Sequence, residues 1–379
     1  MNFLFYDRSA ALKRYAGRVW KKGLTRRMER GRIFHDNDNH FQLKRGVSSL
    51  FTSLRSKWKS AAALLACATA LGAMLSGCGT AKTPAPTNDT AQKQPAAAAV
   101  SELTINHAMG SSKVPAEPKR IVVLTNEGTE ALLALGFKPV GAVKSWSGNP
   151  WYDHLKKDLE SVEVVGDENQ PNLEAIAKLK PDLILGNKLR QEKVYTQLAA
   201  IAPTVFSERL QSDWQKNFRV YAEAVNKKAE GEQLLQQYDK RIADMKAKAG
   251  EKLNTKVSLV RFIPGKARLY MKDTFAGLAL SKIGFQRPAV QDKNEFAAEI
   301  NKERLPDMDG DILFYYVWDN DKKEASAVEK DWTSDPLWKN LNVVKNNKVI
   351  KVNDDIWNSS GGIIAANKLL DEVEQYLLK

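Results

Sequence analysis

The chain has 379 residues, long enough to build more than one core, with 58 Lys and Arg against 45 Asp and Glu. The formal net charge of +13 is uneven: residues 1–60 hold 15 basic and 4 acidic side chains, whereas residues 78–379 hold 43 and 41. That near-balance removes the whole-molecule basic footprint expected of a nucleic-acid-binding protein, so no nucleic-acid partner is expected.

Residues 1–50 are polar and basic, with Arg26-Arg27 and Arg30. They read as an extension upstream of the true start, with a twin-arginine signal as the alternative. Arg55, Lys57 and Lys59 then precede the uncharged stretch Ala61 to Met74. A basic segment, a short apolar segment and small residues at the end are the parts of a secretory signal. Ala61 to Gly77 is short for a membrane span, which sets an uncleaved anchor or a buried core helix as the lesser alternatives. The run Leu75-Ser76-Gly77-Cys78 resembles the lipobox of bacterial lipoproteins. This resemblance implies that residues 1–77 are removed, that a diacylglyceryl group sits on the Cys78 thiol, and that the lipid anchors the protein to the membrane on its extracytoplasmic face. With Cys67 removed and Cys78 lipidated, no disulfide or thiol chemistry is left to the mature fold. Residues 78–102 are rich in Pro, Ala and Thr and lack apolar periodicity, the composition of a flexible stalk.

The folded part starts near Leu103. Arg120 to Leu124 is a β-branched run and predicts a buried strand; Thr129 to Leu135 predicts a helix stopped by Gly136. Pro139 to Val143 predicts the next strand, Leu173 to Leu179 a helix ended before Pro181, and Asp182 to Leu185 another strand. Such alternation argues an α/β domain with a mostly parallel sheet. From Trp214 to Lys248 no strand signal occurs, and Leu234, Leu235, Tyr238, Ile242 and Met245 recur at helical spacing. Lys256 to Phe262 restarts the strand–helix alternation, followed by strands at Asp311–Tyr316 and Lys348–Val352 and a closing helix at Leu369–Leu378. The expected organisation is an N-terminal lobe over 103–225, a bridging helix over 226–250 and a C-terminal lobe over 251–379. The two lobes share a local pattern: Asn172-Leu173-Glu174 ahead of Asp182-Leu183-Ile184-Leu185, and Asn301-Lys302-Glu303 ahead of Asp311-Ile312-Leu313. A carboxylate at a helix start is favoured by the helix dipole, which is a sufficient structural reason for Glu174 and Glu303.

Several segments, in order, carry a resemblance. They are His107 to Gly110, Val114 to Leu124, Glu130 to Gly141, Asn172 to Leu185 and Ser334 to Leu341. Over about 103–379 the chain resembles the iron-siderophore substrate-binding proteins of ABC importers. The resemblance implies two Rossmann-like α/β lobes joined by one long rigid helix, with the ligand between them. It also implies that Glu174 and Glu303 dock one on each half of a permease dimer; the receptor itself is expected to be a monomer. A role in encounter and register suits such rim charges.

In open α/β sheets, ligands sit beyond the carboxyl ends of strands. The loops and strand ends there offer Lys144 and Trp146, Arg190, Arg261, Arg268 and Tyr270, Tyr315 and Trp318, and Trp357. Guanidinium groups grip carboxylate oxygens with paired hydrogen bonds, and large aromatics give rigid walls with a polar handle. Lys144 and Tyr315 have a solvated or core role as alternative; Trp146, Trp318 and Trp357 have core packing. In the resembling family, similar positions carry arginines like Arg190, Arg261 and Arg268. The expected ligand is a ferric siderophore, of carboxylate or hydroxamate type. Only His107 and His154 follow the presequence, and no His-x-x-x-His or Cys pair occurs, so direct metal ligation, a haem and any resident cofactor are not expected. A corrinoid cargo on the same fold is the alternative reading. A secreted α/β enzyme is the more distant one, since no Gly-x-Ser-x-Gly elbow, P-loop or Gly-x-Gly-x-x-Gly after a strand is present.

Overall fold

Two five-stranded sheets with a long helix between them organise residues 101–379, the part of the chain that the computed structural model describes. Residues 1–100, on which the expected presequence, the expected lipidation at Cys78 and most of the expected stalk fall, lie outside the described residues. Among the described residues no helix is long and apolar enough to cross a membrane.

The first sheet runs in the order Glu163–Val164, Gly141–Ala142, Ile121–Val123, Leu183–Asn187, Thr204–Ser207, and every pairing is parallel. Its central strands are buried on both faces, which is why they read as unbroken β-branched and leucine runs rather than as alternation. A hairpin of Glu102–His107 and Gly110–Pro115 leans on the Thr204–Ser207 edge, where Ala108 N donates to Phe206 O at 2.9 Å.

The second sheet runs Ala297–Ile300, Lys266–Tyr270, Val257–Ile263, Ile312–Val317, Val349–Lys351. Here the expected alternation fails on one side. Val257–Ile263 pairs in parallel with Ile312–Val317 but antiparallel with Lys266–Tyr270, which in turn pairs antiparallel with Ala297–Ile300. The cause is local: Ile263 faces Lys266 across Pro264-Gly265, and Gly265 takes φ +77°. Proline presets the first turn position and glycine accepts the left-handed second, so the chain reverses in two residues and no helix intervenes.

Helix Trp214–Ala224 leads into the bridging helix Lys228–Ala249 through Asn226, which is left-handed at φ 56°. The 22 residues of the bridge span about 33 Å. Leu235, Tyr238, Ile242, Met245 and Ala249 form its buried stripe, and Gly231 lets it approach the preceding helix, since a Cβ there would lie 2.6 Å from the Ala222 Cβ. The main hydrophobic core is shared: Val123 and Leu185 of the first lobe, Phe218 and Leu235 of the helical segment, and Leu259, Phe314 and Trp357 of the second belong to one buried cluster. Two smaller clusters cover the outer faces of the two sheets. A core that crosses the lobes limits hinge motion to what close-packed side chains tolerate. The closing helix begins earlier than the sequence suggests, at Ile363, and runs to Val373 before a wider turn over Glu374–Leu378.

Candidate functional site

A cleft of about 430 Å³ opens between the lobes. From the first lobe come Glu127, Trp146, Glu168 and Arg190, joined by Leu210 and Gln211; from the second come Arg261, Arg268 and Trp318 and the loop Asn358 to Gly361.

Glu127 follows the strand Ile121–Val123 in the first turn of helix Asn126–Ala134, whose N-cap Thr125 accepts from Gly128 N. Its Oε1 accepts from Asn217 Nδ2 at 2.7 Å, while its Oε2 has no hydrogen-bond partner among the described residues. The residue is 5% exposed. Burial pushes its carboxyl well above the ordinary carboxylate range; the Asn217 side chain and the Gln211 backbone N–H oppose this, and the neighbouring Glu168 and Glu130 add to it. Glu168 sits in the turn between Gly166–Asp167 and Gln170–Pro171 and is 4% exposed. Its Oε1 accepts from Asn126 N at 2.7 Å and Asn126 Nδ2 at 2.9 Å, and Oε2 lies 3.5 Å from Arg190 Nε. Burial raises this carboxyl too, against the Asn126 and Arg190 interactions. Gln191 locks the same corner: its Nε2 donates to Glu168 O at 2.6 Å and Leu124 O at 3.1 Å.

Arg190 lies with its guanidinium carbon 5.6 Å from the Trp146 ring centroid, a cation–π distance. Across the cleft Arg261 repeats the arrangement over Trp318 at 5.7 Å. Arg261 is held firmly: Nε and Nη2 grip Asp354 at 2.6 and 2.9 Å, Nη1 donates to Tyr270 OH at 3.1 Å and Nη2 to Ser359 Oγ at 3.0 Å. Burial works against its charge, but Asp354 and Tyr270 outweigh it and hold the guanidinium above its ordinary value. Arg268 stands opposite Arg261 in the antiparallel pair and donates to Glu299 at 2.7 and 3.2 Å; Lys266 shares that carboxylate. Trp318 Nε1 donates across the gap to Trp146 O at 3.3 Å.

Of the residues singled out in the sequence, Arg190, Arg261, Arg268, Trp146 and Trp318 thus line one cleft. The other four do not. Trp357 is 0% exposed, stacks on Phe314 and donates Nε1 to Glu372 at 2.6 Å, so it is a core residue. Tyr315 alternates with the inward Tyr316 and so points to the outer face of its sheet, bonding Glu329 at 2.9 Å with Lys351 over its ring. Lys144 lies between buried Val143 and Ser145 and turns to solvent for the same reason. Tyr270 is fully buried and reaches the cleft only through its hydroxyl on Arg261. His107 is taken up with Ser112 at 3.0 Å and His154 with Glu130 at 2.9 Å, and neither lines the cleft. Among the described residues no group of three or more His, Cys, Asp or Glu is placed to hold a metal ion. Glu174 and Glu303 are exposed on their respective lobes, Glu174 pairing with Lys178 at 2.8 Å.

Sequence reasoning missed Glu127, Glu168 and Gln211. Only Glu127 carried a signal, as an acid in the first turn after a strand, and that pattern is satisfied equally well by helix-dipole stabilisation.

The fold and cleft define a class: a two-lobed, helix-bridged binding protein with its site between the lobes. The family model described as periplasmic binding protein matches residues 121–356, and the chain belongs to that family. It is 54% identical over 285 residues to the probable siderophore-binding lipoprotein YfiY of Bacillus subtilis, covering 73% of this chain and 88% of that protein. It is 33% identical over 270 residues to the achromobactin-binding periplasmic protein of Dickeya dadantii, covering 68% and 85%. Among solved structures, Staphylococcus aureus SirA complexed with staphyloferrin B superposes with a TM-score of 0.66 at 37% identity, covering 73% of this chain and 98% of that one.

Proposed function

We propose that this protein is an extracytoplasmic receptor, tethered through a lipid on Cys78, that captures a ferric siderophore between its lobes and delivers it to an ABC permease for iron uptake. The observation that carries this reading is the convergence of three guanidinium groups and two indoles, from both lobes, on one cleft. Arg190, Arg261 and Arg268 suit the carboxylate oxygens of a carboxylate or carboxylate–hydroxamate chelate, and Trp146 and Trp318 supply flat walls for its organic frame. Iron arrives already wrapped in its chelator, the protein carries no resident cofactor, and it does no chemistry on its cargo. It acts as a monomer, and Glu174 and Glu303, one on each lobe, dock on the two halves of the permease.

Titration of the purified protein with ferric citrate, a ferric carboxylate–hydroxamate and a ferric tris-catecholate, followed by tryptophan quenching, tests the reading. A carboxylate-bearing chelate is expected to bind, and Arg190→Ala or Arg268→Ala to weaken it about tenfold or more. Failure of all three chelates to bind, or equal quenching by uncomplexed iron(III), would refute it.

A further inference from the structure

The two carboxyl groups in the cleft are not equivalent. Glu168 is surrounded by donors: two from Asn126 and, farther off, the Arg190 guanidinium. Glu127 has one side-chain donor, Asn217 Nδ2, which occupies Oε1, and the Gln211 backbone N–H lies near the carboxyl without reaching hydrogen-bond geometry to Oε2. That Oε2 is buried, belongs to a residue that lines the cleft and has no hydrogen-bond partner among the described residues. A buried ionised oxygen without a donor is far less stable than the same oxygen carrying a proton. The charged groups around it do not reverse this preference. Glu168 and Glu130 lie close by as further acids and Tyr221 as a buried phenol, while Arg190, Arg261 and Arg268 are engaged with Glu168, Asp354 and Glu299.

Resting on the receptor reading above, we propose that Glu127 stands in the unliganded cleft as the neutral carboxylic acid and donates its Oε2 proton to an oxygen of the bound chelate. The arginines then neutralise the ligand's charge, while Glu127 supplies a hydrogen bond without adding charge. The site selects chelates that present an acceptor oxygen, such as a carboxylate or a deprotonated hydroxyl, deep in the first lobe. A ligand that presents an amide N–H there meets a donor facing a donor and is disfavoured. The burial-driven rise of this carboxyl's proton affinity, with Glu168 and Glu130 contributing, agrees with the geometry.

Two measurements test the proposal. In full-length protein labelled with ¹³C-glutamate, the side-chain carboxyl resonance lost in Glu127→Gln belongs to Glu127. At pH 7 without ligand it is expected at the protonated position, and a carboxylate position would overturn the proposal. In the second, Glu127→Gln and Glu127→Ala, both checked for native unfolding behaviour, are titrated with ferric citrate or the tightest binder of the panel. The amide of Gln can still accept from Asn217 and still donate toward the cavity, whereas Ala can do neither. Glu127→Gln is therefore expected to bind about tenfold tighter than Glu127→Ala. Equal affinities of the two variants, with wild type binding, would overturn this proposal alone. A wild type blind to every chelate would instead remove the receptor reading on which it rests.

Discussion

Glu130 is a buried polar link between the two lobes, and its removal is a sharp test of the architecture. It lies on helix Asn126–Ala134 of the first lobe and is 0% exposed. Its Oε2 accepts from Ala365 N at 2.9 Å, in the first turn of the second lobe's helix Ile363–Val373, so it caps that helix from outside. Its Oε1 accepts from His154 Nε2 at 2.9 Å and from the Ser360 hydroxyl. Gly362 is part of the same fit, because a Cβ there would lie 2.6 Å from both the Glu130 Cβ and Oε2. Glu130→Ala strands three donors. Leaving a buried group unpaired costs about 1–3 kcal/mol, and His154 at the edge recovers part of its loss by meeting water, so the total comes to about 3–5 kcal/mol. Glu130→Gln costs less, about 1–2 kcal/mol, since one amide oxygen still accepts from Ser360 and His154 while the amide nitrogen opposes Ala365 N. Ser360 belongs to the loop that lines the cleft, so ligand affinity should fall along with stability. Equilibrium urea unfolding of wild type and both variants, with equal m-values required, gives the differences. A loss below about 1 kcal/mol for Glu130→Ala would refute the claim that this carboxylate couples the lobes.

Two other outcomes separate core, cleft and rim. Trp357→Phe deletes the indole bonded to Glu372 and leaves a small cavity beside Phe314, which should cost about 1–3 kcal/mol in urea unfolding while the affinity for a ferric chelate per folded molecule stays within about twofold; a selective loss of affinity would return Trp357 to the site. Reversing charge at Glu174 and Glu303 together should spare capture in vitro and reduce uptake of the ⁵⁵Fe-labelled chelate in cells, and normal uptake in the double variant would dismiss the docking role.

What the sequence made legible follows from where each signal is generated. Strands such as Ile121–Val123 and Leu183–Asn187 are buried on both faces, so their apolar runs announce them without reference to partners. The bridging helix does the same through an apolar stripe that recurs at helical spacing from Leu235 to Met245. The reversal at Pro264-Gly265 went unread, although a Pro-Gly pair between apolar stretches is a turn signal, and it makes two pairings of the second sheet antiparallel. Side-chain direction was less accessible. Lys144 and Tyr315 lie in strand-end segments facing the cleft, but the alternation of inward and outward residues carries both away, and a register error of one position decides the matter. Trp357 was undecidable from sequence because its fate depends on Phe314 and Glu372, residues distant along the chain or on a later helix. Glu168 was invisible for a similar reason. The turn around it reads as an exposed polar loop, and it becomes buried only when Asn126, Arg190 and Gln191 close over it.

The arginines of the cleft are not three copies of one device. Each holds its own carboxylate, and the environments differ enough to divide the work. The Arg261–Asp354 pair is bidentate with side-chain exposures of 12% and 5%, so breaking it would leave a buried charge uncompensated. Arg261 therefore stays where it is, covers Trp318 and keeps most of its N–H groups engaged, which makes it a fixed wall with a spare donor. Arg268 rests on Glu299, a half-exposed carboxylate that also has Lys266, and such a pair exchanges readily because water screens it and a second cation remains. Arg268 is the group free to turn to an anionic ligand. Arg190 falls between, over Trp146 and 3.5 Å from a buried acid that also has Asn126 as a donor. In a cleft with one fixed and two releasable guanidinium groups, every guanidinium rests on a carboxylate before ligand arrives. The cleft can still meet the several oxygens of a chelate one after another, and that order of commitment follows from burial rather than from the number of positive charges.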